Sequence, residues 1–444
     1  MGDSAQFKEM EKGFDVHQAV AEANRCLLCH DPPCSRGCPG GTDPGTFIRK
    51  LRLRNITGAI RTIKQNNILG GSCSVLCPTA RLCEGECCAT DIDRPIQIGR
   101  IQRFLVEQSW TQDINTFEKG EARAGKVAIV GSGPAGLSCA AEVSKEGYQV
   151  TVFESRSEVG GVLRYGVPSH RLSTTILEND LRALRDLGVE FRCDSPIQGE
   201  GAAEDLLNQG FDAVFLAPGL WKPIRLKEED IGGVFTATDF LSSMREKKLD
   251  GLTQFFSGKD VAVIGGGSVA IDCVESALEL GARDVYLVYR RSFTQMPAEE
   301  DETLSALRAG IHFLLLNQPV DCVTENGTVK GIRIARTQLG EKDASGRRRP
   351  VEIPGSEWVL AIDAVIEAIG SRAESDSPQW YPSVKVNSKN LVEVNAETGE
   401  TSARGIFAGG DIINGPALVI DAIRDGKVAA TAIKSYLETL EVSE

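Results

Sequence analysis

Cysteine is crowded into one short part of this chain. Eight of its thirteen cysteines lie between positions 26 and 87, in two groups of four. The groups are Cys26-x2-Cys29-x4-Cys34-x3-Cys38-Pro39 and Cys73-x3-Cys77-Pro78-x4-Cys83-x3-Cys87. Thiols at this density indicate either disulfides or bound metal rather than an ordinary hydrophobic core.

Three uses of these thiols are possible. Disulfides need an oxidising compartment and usually a short secreted chain, whereas residues 1–12 are polar and contain no apolar signal core. Structural zinc is the serious alternative, because paired cysteines could form two four-cysteine sites. The run from Cys26 to Pro39 instead resembles the cluster-binding run of bacterial ferredoxins, in which the last cysteine ligates a second cluster. We therefore expect iron-sulfur clusters.

Length and charge limit the remaining possibilities. The 444 residues allow about three domains. With 62 acidic and 49 basic residues the net charge is -13, so we expect no nucleic acid partner and no anionic membrane surface. The basic segments 49–54 and 347–349 are local exceptions, typical of a solvated face or a hairpin tip. Since no apolar run approaches roughly 18 residues, we expect no membrane span and a reducing, cytoplasmic setting.

The cysteine-rich part reads as helical. Apolar spacing predicts helices over 15–29, 46–65 and 98–108. Residues 111–125 are polar and have no apolar period, which predicts a linker. We therefore expect a helical domain over residues 1–120.

A dinucleotide motif follows the linker. A short apolar strand at 127–130 leads into Gly131-Ser-Gly133-Pro134-Ala135-Gly136 and then a helix. A second strand, 149–153, ends at Glu154, and Gly160-Gly161 comes soon after. The glycines let the backbone approach a pyrophosphate at the helix N-terminus, and the acid accepts hydrogen bonds from a ribose. The ordered combination predicts a dinucleotide site, whereas the glycines alone could be an ordinary turn.

The same pattern recurs in the middle of the chain. A strand at 261–264 leads into Gly265-Gly-Gly267-Ser268, and the next strand ends in Arg290-Arg291 instead of an acid. Guanidinium groups pair with the 2'-phosphate of NADPH, which an acid would repel. The alternative is that the two arginines only end a solvent-exposed strand.

Two further segments suggest a duplication. Residues 212–219 and 363–370 are matching apolar strands that end in Ala-x-Gly, and a C-terminal strand and turn ends in Gly410-Asp411 before a helix over 417–437. This arrangement resembles the two-dinucleotide-binding flavoproteins. The resemblance implies an α/β fold, in which an N-terminal all-α iron-sulfur domain precedes two Rossmann-like domains. It implies FAD-binding parts at 126–222 and 370–444 around an NAD(P)H-binding domain at 223–369.

The whole chain is similar to the small subunit of glutamate synthase and, more closely, to the electron-input half of dihydropyrimidine dehydrogenase, which is a separate subunit in bacteria. The shared sequence motifs are spread over residues 15–104. They are Arg25-Cys-Leu-Leu-Cys-His-Asp-Pro-Pro-Cys34, Thr42-Asp-Pro-Gly45, Asn66-Asn67, Cys77-Pro-Thr79 and Pro95-Ile-Gln-Ile-Gly99-Arg-Ile-Gln102-Arg-Phe104.

The resemblance also implies a ligand set for two 4Fe-4S clusters. It assigns one cluster to Cys26, Cys29, Cys34 and Cys87, and the other to Cys38, Cys77, Cys83 and Gln102. Cys73 and Cys88 are then spare, and Cys73 is the alternative to Gln102. Glutamate synthase small subunits tend to have an acid where Gln102 stands, so this residue favours the pyrimidine branch. Residues 161–172 look like the stretch beside the flavin, where Arg171 either serves the cofactor or forms a surface salt bridge.

The implied function is electron input. The resemblance implies that NADPH reduces FAD, and that the clusters pass electrons to a partner subunit containing FMN, which reduces uracil or thymine. NADH remains possible, because bacterial relatives include NADH users and the basic residue that follows the pair in the vertebrate enzyme is Ser292 here. Alternatives are glutamate synthase, a bifurcating transhydrogenase or sulfide dehydrogenase, and a non-enzymatic zinc scaffold. A disulfide reductase is disfavoured because the four cysteines beyond residue 88 are isolated in the sequence.

Overall fold

The structure is a computed structural model that describes residues 13–114, 117, 119–246, 249–343 and 346–441. The chain divides into two compact units. Of the described residues, the main unit comprises those up to Arg164, Ser169–Leu220 and those from Ala373 onward. The inserted unit comprises Tyr165–Pro168 and Trp221–Arg372.

The main unit begins with helices that surround a small apolar core. Phe47, Leu51, Ile60 and Phe104 are almost fully buried in this core. Short 3-10 turns at Thr79–Arg81 and Cys88–Asp91 lie between the fifth and the sixth helix. The helices are α1 (Val16–Asn24), α2 (Pro33–Arg36), α3 (Pro44–Arg52), α4 (Ile56–Asn66), α5 (Gly70–Leu76) and α6 (Ile98–Thr111).

Two of the predicted helices were wrong in extent. The helix expected over 15–29 ends at Asn24, and Leu28 has a left-handed backbone with φ 56°. The helix expected over 46–65 is two helices, because Arg54 is also left-handed and the Asn55 side chain accepts a bond from the Gly58 amide that starts α4. The helix expected over 98–108 is confirmed within α6.

The main unit continues with a Rossmann-like half. Its three central strands are buried nearly throughout, as expected for a parallel sheet with helices on both faces. The elements are β1 (Lys126–Val130), α7 (Pro134–Lys145), β2 (Gln149–Phe153), α8 (Val162–Tyr165), α9 (Thr174–Asp186), β3 (Glu190–Arg192), α10 (Ala202–Asn208) and β4 (Ala213–Leu216).

The inserted unit contains a second parallel sheet and an antiparallel sheet. The elements are β5 (Lys222–Pro223), β6 (Val234–Thr236), α11 (Ala237–Arg245), α12 (Leu249–Phe256), β7 (Asp260–Ile264), α13 (Ser268–Glu279), β8 (Asp284–Tyr289), α14 (Glu300–Arg308), β9 (His312–Leu315), β10 (Asn317–Glu325), β11 (Thr328–Lys342), β12 (Arg348–Glu352), β13 (Trp358–Ala361), β14 (Ala364–Glu367) and β15 (Ser371–Arg372). The parallel sheet has the order β6-β14-β7-β8-β9, while β10, β11 and β12 form an antiparallel meander in which β13 also pairs with β11. The basic segment 347–349 lies at the hairpin between β11 and β12, as predicted.

The chain then returns to the main unit and completes its sheet. The closing elements are α15 (Ser377–Trp380), β16 (Ile406–Ala408), α16 (Asp411–Asn414) and α17 (Val419–Glu441). The main sheet has the order β16-β4-β1-β2-β3, with all neighbours parallel. β4 pairs with β1 and β14 pairs with β7 at the same offset, Val127 opposite Ala213 and Val261 opposite Ala364. The predicted α/β fold with two equivalent dinucleotide-binding halves is therefore confirmed.

The antiparallel meander was not predicted. In the main unit, α10 occupies the corresponding place between the third strand and the closing strand. Within the described residues, no helix combines the length and apolarity that crossing a membrane requires.

Candidate cluster and nucleotide sites

A hollow in the helical part of the main unit is lined by five cysteines, Cys26, Cys29, Cys34, Cys87 and Cys88. Most of the other side chains around it are apolar. Burial, together with the neighbouring thiols of Cys87, Cys26 and Cys29, raises the pKa of the Cys34 thiol to about 11. The structure thus brings together the four cysteines that the resemblance assigns to one cluster. Soft thiolates in apolar surroundings are a donor set that fits an iron-sulfur cluster.

Two arginines of α3 hold the loop that bears these cysteines. Arg52 donates through Nη1 to the carbonyl of Cys26 at 2.8 Å, and Arg49 donates through Nη2 to the carbonyl of Cys29 at 3.2 Å. The basic segment 49–54 is therefore more than a solvated face. Cys88 also lines the hollow, and a hydrogen bond with Cys29 raises the pKa of its thiol.

The second thiol group in the structure consists of Cys38, Cys77 and Cys83 and lies near the end of α5. The pKa of the Cys77 thiol is raised well above its usual value by a hydrogen bond with Cys73, by burial, and by the thiols of Cys38 and Cys83. Burial likewise raises the pKa of Cys83. Cys38 accepts a bond from the backbone amide of Thr42 through Sγ at 3.4 Å. The three cysteines assigned to the second cluster are therefore neighbours, and Cys73 lies beside them.

Gln102 is buried on α6 and points to the same region. Its Nε2 donates to the carbonyl of Gly70, the first residue of α5, at 2.7 Å. That bond uses the amide nitrogen, whereas coordination of iron would use the side-chain oxygen. The two roles are compatible, and the geometry does not choose between Gln102 and Cys73.

The first glycine turn is built for close backbone approach. A Cβ on Gly136 would lie 2.0 Å from the carbonyl oxygen of Gly131, and one on Gly131 would lie 2.3 Å from that of Ala217. Gly161, with φ 52°, packs in the same way against the Cα of Gly133. A Cβ on Gly133 would meet no protein atom within 4 Å, so the space above it is open to a ligand.

Helix α7 begins at this turn. Pro134 and Ala135 form its first two positions, and Gly133 precedes them with no side chain capping the free amides. Uncapped amides at a helix N-terminus attract phosphate. The turn therefore fits the pyrophosphate of a dinucleotide.

Glu154 directly follows β2 and faces the turn. Its Oε2 accepts bonds from the Ser132 backbone amide at 3.1 Å and from the Ser132 hydroxyl, and its Oε1 accepts from the Arg156 amide at 2.9 Å. The Glu154 carboxylate is thus buried and fixed beside the glycines, as the sequence motif predicted.

The C-terminal return reaches the same helix. Gly410 has φ 78°, and a Cβ there would lie 3.0 Å from the Cβ of Ala135. Burial, opposed in part by a bond from the Ala417 amide and aided by the Asp425 carboxylate, raises the pKa of the next residue, Asp411, to about 6. Two parts of the chain that are distant in sequence therefore meet at one site. Arg171 lies between α8 and α9 and is partly exposed.

The second glycine turn, in the inserted unit, repeats these features. Gly265 is left-handed, and a Cβ there would lie 2.3 Å from the carbonyl oxygen of Ala368. A Cβ on Gly267 would meet nothing within 4 Å. Ser268 is the first residue of α13. This turn therefore also leaves room for a phosphate.

The arginine pair separates into two different environments. Arg290 is exposed, and its side chain has no hydrogen bond or ion pair with any described residue. Arg291 is 5% exposed, pairs through Nη2 with Asp343 at 2.7 Å, and donates through Nε to the carbonyl of Arg348 at 2.8 Å. Arg290 is therefore free to bind a ligand, whereas Arg291 fastens the β11–β12 hairpin to the end of β8.

Sequence reasoning missed two polar residues that join the helical part to the first Rossmann-like half. Asp180 on α9 is buried and accepts bonds from the amides of Gly71 and Ser72 at 3.2 and 2.7 Å and from the Ser72 hydroxyl at 2.8 Å. Lys427 on α17 donates to the carbonyls of Gly40 and Asn66 at 2.7 and 2.8 Å. Both residues look like surface positions of amphipathic helices, and no local motif marks them.

Two family models match the chain. Residues 3–114 match dihydropyrimidine dehydrogenase domain II, 4Fe-4S cluster, and residues 125–426 match pyridine nucleotide-disulphide oxidoreductase. The chain belongs to the pyridine nucleotide-disulphide oxidoreductase family. As a member of that family with a 4Fe-4S domain, it is an NAD(P)H-dependent FAD oxidoreductase. The predicted cofactor classes are confirmed, and the zinc scaffold finds no support.

Curated relatives match almost the whole chain. The glutamate synthase (NADPH) small chain of Escherichia coli is 36% identical over an alignment of 447 residues. The alignment covers 98% of this chain and 94% of the relative. The NAD-dependent dihydropyrimidine dehydrogenase subunit PreT of Escherichia coli is 34% identical over 430 residues, which cover 97% of each. These family members do not distinguish one role from the other.

Solved structures agree on the fold. FprA from Mycobacterium tuberculosis in complex with NADPH superposes with a TM-score of 0.60 at 21% identity, covering 72% of this chain and 86% of that one. Thioredoxin reductase of T. acidophilum gives 0.53 at 18% identity, covering 71% of this chain and 100% of that one. Both likenesses support the fold of the family.

Proposed function

We propose that the chain is the electron-input subunit of a bacterial dihydropyrimidine dehydrogenase. It oxidises NAD(P)H and delivers the electrons to a partner subunit that contains FMN and reduces uracil or thymine to the 5,6-dihydro form. The active enzyme is then a heteromer. The family role is that of an NAD(P)H-dependent oxidoreductase with an iron-sulfur domain. The proposal adds the identity of the final electron acceptor, a pyrimidine.

The observation that supports electron input is that the thiol groups and the first glycine turn belong to one compact unit. When bound, NAD(P)H supplies a hydride, FAD accepts it as an electron pair, and iron-sulfur clusters conduct single electrons. The chain's own part is to hold these groups. Gly133 and the α7 amides would hold the pyrophosphate, and Glu154 and Asp411 would accept hydrogen bonds from FAD hydroxyls.

Two clusters are proposed, with the ligands that the resemblance implies. Cys26, Cys29, Cys34 and Cys87 hold one cluster, and the packing of these thiols around one hollow supports that set. Cys38, Cys77, Cys83 and Gln102 hold the other. The amide at Gln102 in place of an acid is what favours the pyrimidine branch. We retain the domain divisions 1–120, 126–222, 223–369 and 370–444, and a flavin-side role for Arg171.

NADPH is the proposed donor, and Arg290 is the residue that supports it. It directly follows β8, next to the second glycine turn, and its guanidinium forms no hydrogen bond or ion pair with a described residue. A 2'-phosphate would form a charge-assisted bond there. The named relatives include both an NADPH enzyme and an NAD-dependent one, so NADH remains the alternative.

The second candidate is electron input to glutamate synthase, which the 36% identity to the small chain of that enzyme favours. Reconstitution separates the two. The purified chain should oxidise NAD(P)H with an artificial acceptor but should reduce uracil only when an FMN-containing pyrimidine-reducing subunit is added. Glutamate formation with a glutamate synthase large subunit, and no uracil reduction with the FMN subunit, would overturn the proposal. Dihydrouracil formed by the chain without any partner would also contradict it.

A further inference from the structure

Lys427 is a half-buried cation that forms no ion pair with any described residue. Its ammonium donates only to two backbone carbonyls, those of Gly40 and Asn66, and it forms no ion pair within the part of the chain that the structure describes. Burial lowers its pKa, although the carboxylate of Glu142 partly opposes this effect. Carbonyl dipoles offset only part of the cost of burying a charge. A cation in this position is expected to have an electrostatic partner that is part of the working protein.

The surroundings of Lys427 indicate what that partner is. Gly40 belongs to the turn after Cys38, in which the Gly41 amide donates to the Cys38 carbonyl at 3.0 Å and the Thr42 amide donates to the Cys38 sulfur at 3.4 Å. A Cβ on Gly41 would lie 3.7 Å from Nζ of Lys427. The ammonium therefore faces the turn that presents Cys38 to the second thiol group.

We propose that Lys427 raises the reduction potential of the cluster held by Cys38, Cys77 and Cys83. A 4Fe-4S cluster bound by thiolates is anionic and becomes more so on reduction, so a nearby cation favours its reduced form. Lys427 belongs to α17, the helix that follows the Asp411 return. The FAD-binding fold thus supplies a charge that makes the second cluster a better electron acceptor than it would be without Lys427. The inference rests on the proposed ligand set of that cluster.

The test compares charge with hydrogen bonding at this one position. Lys427→Gln keeps a donor but removes the charge, Lys427→Met removes both, and Lys427→Arg keeps both. Lys434→Gln is the control, because Lys434 lies on the same helix but pairs with Glu146 in a partly exposed position. Each chain is purified anaerobically, its iron and FAD are counted, and its clusters are titrated by potential under electron paramagnetic resonance.

The expected result is a change confined to one cluster. In Lys427→Gln and Lys427→Met, the reduction equilibrium of that cluster should fall about tenfold, a shift of about 59 mV to more negative potential for one electron. In these two variants the potential of the other cluster should be unchanged. In Lys427→Arg and Lys434→Gln the potentials of both clusters should match those of the wild type. A wild-type chain that lacks a second cluster would refute the ligand set before any potential is measured.

Three outcomes would overturn the inference itself. Unchanged potentials in both neutral variants would make Lys427 a structural contact. Equal shifts in both clusters would mean that the effect is not local. Loss of iron from both neutral variants, with Lys427→Arg intact, would make the charge a requirement for cluster assembly rather than a determinant of potential.

Discussion

Replacing Arg290 should change the choice of nucleotide without harming the fold. Its side chain is exposed, and it contacts no described residue through a hydrogen bond or ion pair. Arg290→Ala therefore removes no protein contact. If the guanidinium binds the 2'-phosphate, only NADPH loses an interaction, because NADH has a hydroxyl at that position.

The expected magnitude follows from one charge-assisted bond. Such a contact is worth about 1.5 to 3 kcal/mol, or roughly 10- to 150-fold in affinity. Arg290→Ala should lower kcat/KM for NADPH by that factor and change the value for NADH several-fold at most.

Arg291→Ala should behave differently. It removes the ion pair with Asp343 and the bond to the Arg348 carbonyl, which together hold the hairpin to the end of β8. Loss of a partly buried ion pair and a buried hydrogen bond lowers stability. We expect a lower melting temperature and equal losses of activity with both nucleotides.

The assay is steady-state reduction of an artificial acceptor with each nucleotide, beside thermal melting of each variant. Arg283→Ala is the matched control: Arg283 precedes the opposite end of β8 and is mostly exposed, and its ion pair with Asp260 is at the surface. It should leave the ratio of the two kcat/KM values unchanged. Equal losses with NADPH and NADH in Arg290→Ala, at unchanged melting temperature, would refute the reasoning.

Three further expectations concern the cofactor sites and the join between them. The anaerobic chain should contain about eight irons and one FAD; Cys83→Ser should lose one cluster while Cys73→Ser keeps both, and loss of a cluster from Cys73→Ser would exclude the glutamine ligand. Gly133→Ala and Gly267→Ala meet no protein atom, so both should fold normally by circular dichroism, yet the first should lose FAD and the second should bind NADPH at least about tenfold more weakly in a fluorescence titration. Burial raises the pKa of Asp180 from 3.8 to about 6. The protonated carboxyl therefore stabilises the fold fully below about pH 4, and this contribution, on the order of 3 kcal/mol, is lost as the pH rises through 6. Asp180→Asn should lessen the fall in melting temperature between pH 4.5 and 7.5, and an unchanged fall would contradict this.

The sequence predicted best what depends on neighbours along the chain. Gly131, Gly136 and Gly265 are needed for backbone approach within a strand-turn-helix unit, so their spacing shows their role. The matching strands at 213–216 and 364–367 could be paired by pattern, and the structure gives them the same register. The cysteine spacing showed two groups, but only the resemblance suggested which cysteines belong together.

Long-range polar contacts could not be predicted in this way. Asp180 accepts bonds from residues more than one hundred positions earlier, and the partner carbonyls of Lys427 are further still. On their own helices these residues are ordinary polar positions. The different roles of Arg290 and Arg291 were hidden for the same reason, because Asp343 belongs to a meander that the strand pattern did not predict.

The polar contacts and glycines explain how the cluster-bearing helices meet the first Rossmann-like half despite the polar linker between them. A Cβ on Gly71 would lie 2.9 Å from the Trp110 ring and 2.8 Å from the Asp180 carboxylate, and one on Gly40 would lie 2.5 Å from Ile420. The join is therefore a close approach of backbone to side chains. Because burying the charged Asp180 carboxylate and partly burying the Lys427 ammonium costs hydration, their contacts add little net stability at neutral pH. Instead they fix the orientation in which the two surfaces pack, and this sets the position of the second thiol group relative to the flavin-binding fold.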